Sequence, residues 1–234
     1  HLLALLAVPA WAAPGNTICV YPGIYNESAP GSTSASIGGS YQFGLFFPSS
    51  KPGLQLVGVD ASGNAITNAA STLATIKTDA TNNFGYSGIF VDAANTTIQG
   101  VKIGPNLSGD NKTIEVIADN FTLRYATTDI PNGGGSIYIN DFSSTSDVVQ
   151  SYHVLDNLFP DGTSVDIASG AGVTGPLSGR EILRNSFDLG NNGFNAISFN
   201  GTGGVAWFAH PVGGAIIKNN SFKNSTQYIR ARGV

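Results

Sequence analysis

Short segments in which apolar residues alternate with variable ones recur along this chain. They read Ile89-Phe90-Val91, Ile114-Glu115-Val116, Ile137-Tyr138-Ile139, Val165-Asp166-Ile167 and Ile197-Ser198-Phe199, with a weaker copy at Ile229-Arg230-Ala231. Successive copies start 25, 23, 28, 32 and 32 residues apart. This alternation is typical of a β-strand that buries one face, so we expect the flanking residues to point inward and the central residue to point outward.

A second recurring segment lies between these strands. Its copies are 98–103, 123–128, 154–159, 182–187 and 217–222, and the last three end in Asn-x-Phe. No repeat contains the helix of 10–15 residues that would be needed to connect parallel strands of an open sheet. The strands must therefore stack in parallel on their own copies, which predicts an all-β fold, a right-handed parallel β-helix (a single-stranded solenoid) over residues 14–234.

The recurring asparagines predict one structural detail of this solenoid. Asn157, Asn185 and Asn220 occupy the same position in three successive copies of the second segment. Stacked Asn side chains can hydrogen-bond to one another along the axis of such a stack. Asn also tolerates the left-handed backbone conformation that tight corners use. We therefore expect these three residues to form a ladder at one corner of the coils.

The ends of the chain leave alternatives open. Residues 1–13 include an apolar run, 2–12, that is too short to span a membrane. This run could be the tail of a secretory signal with a small-x-small site at Ala10-Trp11-Ala12, or a short helix that caps the first coil. The chain stops after Arg232-Gly233-Val234 with no obvious terminating element, so we expect a solenoid truncated at its C-terminus.

Composition narrows the class of function. Charged residues make up only 11% of the 234 residues, whereas 41% are hydrophobic and 30 are Gly, which suits short strands joined by tight turns better than surface helices. The net charge is −4 with no cluster of Lys or Arg, so we expect neither nucleic-acid binding nor membrane insertion. The single cysteine, Cys19, excludes an intrachain disulfide and a Cys-based zinc site.

The opening of the chain resembles a known group of proteins. Residues 14–27 contain Pro-Gly-x-x-Ile followed by Pro-Gly-x-Tyr, and this pattern is similar to the first coil of pectin-lyase-like β-helix proteins. Residues 51–60 are similar to their second coil, and the resemblance extends over nearly the whole chain. It implies the fold, but not an activity, because this superfamily includes lyases, hydrolases, esterases, epimerases, tailspikes and adhesins. The paired-Asp pattern of its hydrolases and the Asp-Pro-x-Asp pattern of its epimerases are absent from the sequence.

The central residues of the recurring strands are the first candidates for chemistry. We expect Phe90, Glu115, Tyr138, Asp166, Ser198 and Arg230 to form one straight outward row, with about 4.8 Å between neighbours. Phe90 and Tyr138 could bind sugar rings. Glu115, Asp166 and Arg230 are catalytic candidates, since two carboxylates about 9–10 Å apart are marginally compatible with an inverting glycosidase. The alternative is a solvated face whose residues vary freely.

The loops supply further candidates. The distance from an alternating strand to the next second-type segment grows from 9 residues near the middle of the chain to 17–20 in its C-terminal half. This growth places Trp207 and Phe208 on an insertion, where they could form a sugar platform or could plug the loop onto the solenoid. Asp156 and Asp161 are weak calcium candidates, although a Pro-Asp-Gly turn explains Asp161 without an ion. No other cofactor or metal is predicted.

Three functions remain compatible with these features. The first is a secreted or cell-surface β-helix module that binds a polysaccharide or surface glycan and is not itself catalytic. The second is a polysaccharide lyase or glycoside hydrolase that acts on an acidic polysaccharide. The third is a structural solenoid, such as an adhesin stalk or passenger segment.

Overall fold

The computed structural model describes most of the chain as a stack of coils. The described residues are 12–28, 32–34, 39–41, 43–79, 87–104, 112–130, 135–139, 149–169, 178–190, 195–201, 214–225 and 227–232. Within them, 21 strands form three parallel sheets of seven strands each, and two more strands form a small antiparallel sheet. Each full coil contributes one strand to each parallel sheet. This arrangement is a right-handed parallel β-helix and confirms the predicted fold.

The strands follow one another around the coils. The first sheet contains β1 Thr17–Val20, β6 Gln55–Gly58, β9 Thr97–Gln99, β12 Phe121–Arg124, β15 Tyr152–Leu155, β18 Arg180–Leu183 and β21 Ala215–Lys218. The second contains β2 Gly23–Ser28, β7 Ala74–Asp79, β10 Val101–Ile103, β13 Thr127–Thr128, β16 Leu158–Phe159, β19 Ser186–Asp188 and β22 Ser221–Lys223. The third contains β5 Phe43–Phe47, β8 Ser87–Val91, β11 Lys112–Val116, β14 Ser136–Ile139, β17 Ser164–Ser169, β20 Ile197–Gly201 and β23 Ile229–Arg232.

Two small elements interrupt this regular order. The antiparallel pair is formed by β3 Ser32–Ser34 and β4 Gly39–Tyr41. One turn of 3-10 helix, Ala69–Ser71, lies in the connection between β6 and β7. Asn68 caps this turn, and its side-chain oxygen accepts a hydrogen bond from the amide of Ala70 at 3.0 Å.

The core is a column of inward side chains that continues from coil to coil. In the third sheet, parallel pairing places Ile89, Ile114, Ile137, Val165 and Ile197 directly above one another. All five are 0% exposed. The predicted inward positions are therefore confirmed. The first sheet adds a second aliphatic column, and Phe159, Phe187 and Phe222 of the second sheet stack with ring centroids 5.1 and 5.4 Å apart, which accounts for the repeated Asn-x-Phe.

The predicted asparagine ladder lies at the corner between the first and second sheets. The Nδ2 group of Asn157 donates to Oδ1 of Asn185 at 2.9 Å, and Nδ2 of Asn185 donates to Oδ1 of Asn220 at 3.0 Å. Each amide also donates to a backbone carbonyl of the preceding coil. The left-handed conformation, however, belongs to the residue before each ladder Asn, at Asp156, Arg184 and Asn219 (φ 58°, 57° and 58°). The sequence-based assignment of this conformation to the ladder residues was wrong by one position.

The N-terminal segment is described only from Ala12 onward. Ala12 is 2% exposed and belongs to the hydrophobic core beside the first coil. Residues 1–11, and with them the choice between a signal tail and a capping helix, lie outside the described residues. In the described part of the chain, no helix is long and apolar enough to cross a membrane.

Replacing Asn185 by Ala tests the ladder. The change removes the acceptor of the Asn157 backbone amide and the donor to the Val154 carbonyl, and buried groups left without a partner cost about 1–3 kcal/mol each. We expect Asn185→Ala to lower the free energy of unfolding by about 2–4 kcal/mol in urea titrations. Asn26→Ala, on an exposed position of β2, should change it by no more than about 0.5 kcal/mol. Equal effects of the two substitutions would contradict this account of the corner.

Candidate functional site

The outer face of the third sheet carries the row of residues singled out in the sequence. Strand pairing places Phe90, Glu115, Tyr138, Asp166, Ser198 and Arg230 next to one another in that order, and we call these six residues the third-sheet row. Neighbours in the row are separated by one strand spacing of about 4.8 Å. The predicted register is therefore confirmed along the whole row.

Exposure differs from the expectation of an open face. Phe90, Glu115 and Ser198 are buried, with exposed fractions of 1%, 3% and 4%. Tyr138, Asp166 and Arg230 are half-buried. The alternative of a solvated face therefore does not hold for the whole row, whose accessible residues are Tyr138, Asp166 and Arg230.

Phe90 is buried because aromatic rings of the neighbouring coil stack on it. Its ring lies nearly parallel to that of Phe43, with centroids 4.3 Å apart, and the ring of Phe46 lies 5.8 Å away. These contacts come from β5, which the sequence reasoning did not identify as a strand. Phe90 is thus packed in an aromatic cluster and does not offer a free face to a sugar ring.

Glu115 is held by donors on its own and the neighbouring strand. Lys112 Nζ lies 2.9 Å from Glu115 Oε1, and the hydroxyl of Ser87 donates to Oε2. The same ammonium lies 4.8 Å from the ring centroid of Tyr138. A buried carboxylate needs such partners, because taking an unpaired charge out of water is very costly. Lys112 therefore links Glu115 to Tyr138, and it is a site residue that the sequence reasoning missed.

Asp166 has a different environment from Glu115. Burial raises the pKa of Asp166, while hydrogen bonds from Ser164, at 2.7 Å, and from Ser198 act in the opposite direction. Tyr138 stands between the two carboxylates, and burial together with the charges of Glu115 and Asp166 raises its pKa as well. The phenol accordingly stays neutral at physiological pH and can donate a hydrogen bond, and Asp166 takes up a proton more readily than an exposed aspartate.

These residues combine three kinds of chemistry in a short distance. The Tyr138 phenol and the Asp166 carboxyl can bind hydroxyl groups, Lys112 and Arg230 supply positive charge, and the buried Glu115 holds Lys112 in place. Glu115 and Asp166 are two strand spacings apart, about 9.6 Å. That strand separation is just above the range of about 6.5–9.5 Å found between the carboxyl groups of inverting glycosidases.

The two calcium candidates lie at different corners of the coil. Asp156 forms a bidentate pair with Arg184, with distances of 2.6 Å to Nε and 2.7 Å to Nη2. Asp161 accepts hydrogen bonds from the hydroxyls of Thr128 and Thr163, both at 2.8 Å. Strand β16 separates the two carboxylates, so the structure does not bring them together. In the described residues, no three His, Cys, Asp or Glu side chains are grouped in a way that could hold a metal ion.

The remaining candidates cannot be placed. Trp207 and Phe208, predicted to form a sugar platform or a plug, lie outside the described residues.

A groove that the sequence reasoning missed lies elsewhere, at the corner between the first and second sheets beside Tyr125 and Arg184. The available signal was the corner position occupied by Tyr125 and Arg184, because both side chains are large whereas Gly or Asn would fit such a corner most easily.

The raised pKa of Asp166 predicts a pH dependence of stability. Between the ordinary aspartate pKa of about 3.8 and the higher pKa of the folded state, the folded protein keeps a proton that the unfolded chain has released. The contribution of Asp166 to stability is therefore fully present below the unfolded pKa and is lost as pH rises through the folded pKa. We expect wild-type protein to lose stability relative to Asp166→Asn across this window, measured by urea unfolding in steps from pH 3 to 7.

Asp60→Asn provides a control for which the stability difference from wild type should change with pH in the opposite direction. Hydrogen bonds from Asn64 lower the pKa of Asp60, so its contribution is present above the unfolded pKa and is lost as pH falls through the folded pKa. A stability difference between wild type and Asp166→Asn that does not vary with pH would refute the assignment of a raised pKa to this carboxyl.

Comparisons of the chain with models of protein families, with curated proteins and with solved structures find no match. Membership in the pectin-lyase-like superfamily therefore stays a prediction based on the coil motifs.

Proposed function

We propose that this protein is a secreted or cell-surface β-helix module that binds a polysaccharide or surface glycan along its third sheet. The observation that carries this proposal is the position of Tyr138, half-buried between two carboxylates and in contact with the Lys112 ammonium. An extended glycan presents hydroxyl groups at regular intervals, and a straight row of polar side chains can meet several of them in succession.

The chemistry of the row favours hydrogen bonding over ring stacking. The Phe90 ring is covered, and the Lys112 ammonium already lies over the ring of Tyr138. The Tyr138 hydroxyl, the Asp166 carboxyl and the Arg230 guanidinium provide both donors and acceptors. The low charge content of the chain, 11%, also suits recognition by hydrogen bonds better than recognition by strong electrostatic attraction.

A polysaccharide-cleaving enzyme is the second candidate, and one observation favours it. Burial raises the pKa of Asp166, whereas Glu115 is held by a lysine and a serine. Pairs of carboxyls in unlike environments are typical of the acid and base of glycosidases. Release of new reducing or unsaturated ends from polygalacturonate, lost in both Glu115→Gln and Asp166→Asn, would establish this function. Cleavage that both variants retain would exclude these residues as the catalytic pair.

The binding proposal predicts that Tyr138 is essential for glycan affinity. We expect Tyr138→Ala to weaken binding at least tenfold, about 1.4 kcal/mol, because it removes both the phenol and the surface over which Lys112 lies. Tyr138→Phe should fall between wild type and Tyr138→Ala. Affinities can be measured by titration calorimetry with the best binders from a panel of polygalacturonate, alginate, glucans and mannans.

Tyr21→Ala is the matched control. Tyr21 is 50% exposed in the first coil, away from the third-sheet row, and its loss should leave glycan affinity unchanged. A panel without any binder, together with clear cleavage of a polyuronide, would overturn the binding proposal. Equal affinities of wild type and Tyr138→Ala would overturn the assignment of the site.

A further inference from the structure

A groove of about 390 Å³ lies at the corner between the first and second sheets, the one corner that does not adjoin the third sheet. One wall is the connection between β6 and β7, and the other consists of corner residues from successive coils. Its volume falls within the range of small-molecule sites, about 300–1,000 Å³. The groove is therefore separate from the third-sheet row and needs its own explanation.

The first wall is fixed in place by hydrogen bonds to the solenoid. The amide of Ile66 donates to the carbonyl of Gly58 at 2.9 Å, and its carbonyl accepts a hydrogen bond from Gln99 Nε2 at 2.9 Å. A Cβ atom on Gly100 would lie 2.7 Å from Cβ of Ile66, so the connection packs directly against this corner. Beyond Ile66, the capped turn brings Asn68 into the groove wall. The wall is thus preformed.

The opposite wall includes two large residues, Tyr125 and Arg184, in a backbone conformation that they do not favour. Tyr125, Asp156 and Arg184 all have left-handed φ values, of 53°, 58° and 57°. The equivalent positions one coil before and one coil after are Gly100 and Asn219, the residue types that adopt this conformation at least cost. For large side chains the conformation is unusual and is found preferentially at functional sites. Folding alone would be served as well by Gly or Asn at all five positions.

The charges in this wall cancel. Arg184 and Asp156 form the bidentate pair described above, and the hydrogen bond from Arg184 to Asp156 raises the pKa of the guanidinium. Two of the five guanidinium N–H groups are used in this pair, so others can donate to a ligand. Asp156 neutralises Arg184, which makes the groove a poor site for a carboxylate or phosphate and a suitable one for an uncharged polar molecule.

The other lining groups complete this description. Tyr125 contributes an aromatic ring and a phenol, and Asn68, whose oxygen is used by the cap, contributes an amide NH₂ donor. Ala70 and Leu158 add apolar surface. A mixture of ring, apolar surface and neutral hydrogen-bonding groups matches a sugar, which has apolar C–H faces and many hydroxyls.

We propose that this corner groove binds a single neutral sugar ring, independently of the third-sheet row. Tyr125 contacts the ring, and Arg184 and Asn68 donate to its hydroxyls. The site would give the module a second point of attachment to a glycan, on a different side of the solenoid.

The test uses the whole chain and defined probes. Saturation-transfer NMR and calorimetry are run with the methyl glycosides of glucose, galactose and mannose, and with galacturonic acid as the acidic counterpart. We expect at least one neutral glycoside to bind, with affinity reduced at least tenfold in Tyr125→Gly. Because glycine relieves the left-handed strain, the thermal midpoint of this variant serves as the check on folding. Arg184→Lys keeps the charge but loses the bidentate fork, and it should also weaken binding.

Asn219→Gly is the matched control, since it removes a side chain at the same corner position outside the groove. It should bind as wild type does, and so should Tyr138→Ala, which separates this site from the third-sheet row. The proposal is overturned if no neutral glycoside binds, if galacturonic acid binds in preference to all of them, or if Tyr125→Gly and Arg184→Lys both bind with wild-type affinity.

Discussion

The stacking of inward aliphatic side chains between successive coils is the interaction on which this structure depends. A single coil cannot bury its own inward residues, so each coil is stable only against its neighbours. The fully buried column from Ile89 to Ile197 shows the result in the third sheet. Once these residues are stacked, the register of every strand is set, because a shift by one residue would turn the column toward water. Because inward and outward side chains alternate along each strand, the same register also sets the third-sheet row.

The corners satisfy the polar groups that this stacking buries. At the corner between the first and second sheets, the Asn ladder supplies donors and acceptors to backbone groups of adjacent coils. Buried amides are tolerated there because their hydrogen bonds are made within the ladder. The side chains at the neighbouring left-handed positions lie outside the core and do not take part in the stacking. Tyr125 and Arg184 can therefore line a groove without disturbing the stack, although their backbone conformation is unfavourable for large side chains.

Strands that combine alternation with repetition could be predicted from the sequence. The third-sheet strands from β8 to β23 and their register were predicted because a buried face leaves a period-two pattern. Strand β5 was missed, since Phe43–Phe47 is apolar at nearly every position and shows no alternation. Strand β7 was missed because the connection at 59–73 breaks the regular spacing before it. Strands β5 and β7 belong to the first two coils, where the repeat is least regular, as does the unpredicted antiparallel pair β3 and β4.

The residues of the candidate site and their order were predicted from the sequence, but their exposure to solvent was not. The row was correctly assembled from strand positions, yet the burial of Phe90 depends on rings from β5, and the environment of Glu115 depends on Lys112, which begins the same strand. The contact of Phe90 is made by side chains of another coil, and the contact of Lys112 with Glu115 depends on side-chain conformation, so neither follows from the alternation along one strand. The corner groove was missed for a related reason, since it combines an irregular connection with residues from three different coils.

A double-mutant cycle along the core column measures whether side chains of neighbouring coils stabilise one another. Ile114 and Ile137 are paired neighbours, whereas Ile89 and Ile197 are four strands apart, about 19 Å. With alanine substitutions, singly and in pairs, the free energies of unfolding should show a coupling of at least about 0.5 kcal/mol for Ile114 with Ile137 and additive effects for Ile89 with Ile197. Additive effects in the neighbouring pair, or equal coupling in both pairs, would contradict a core built from coil-to-coil stacking.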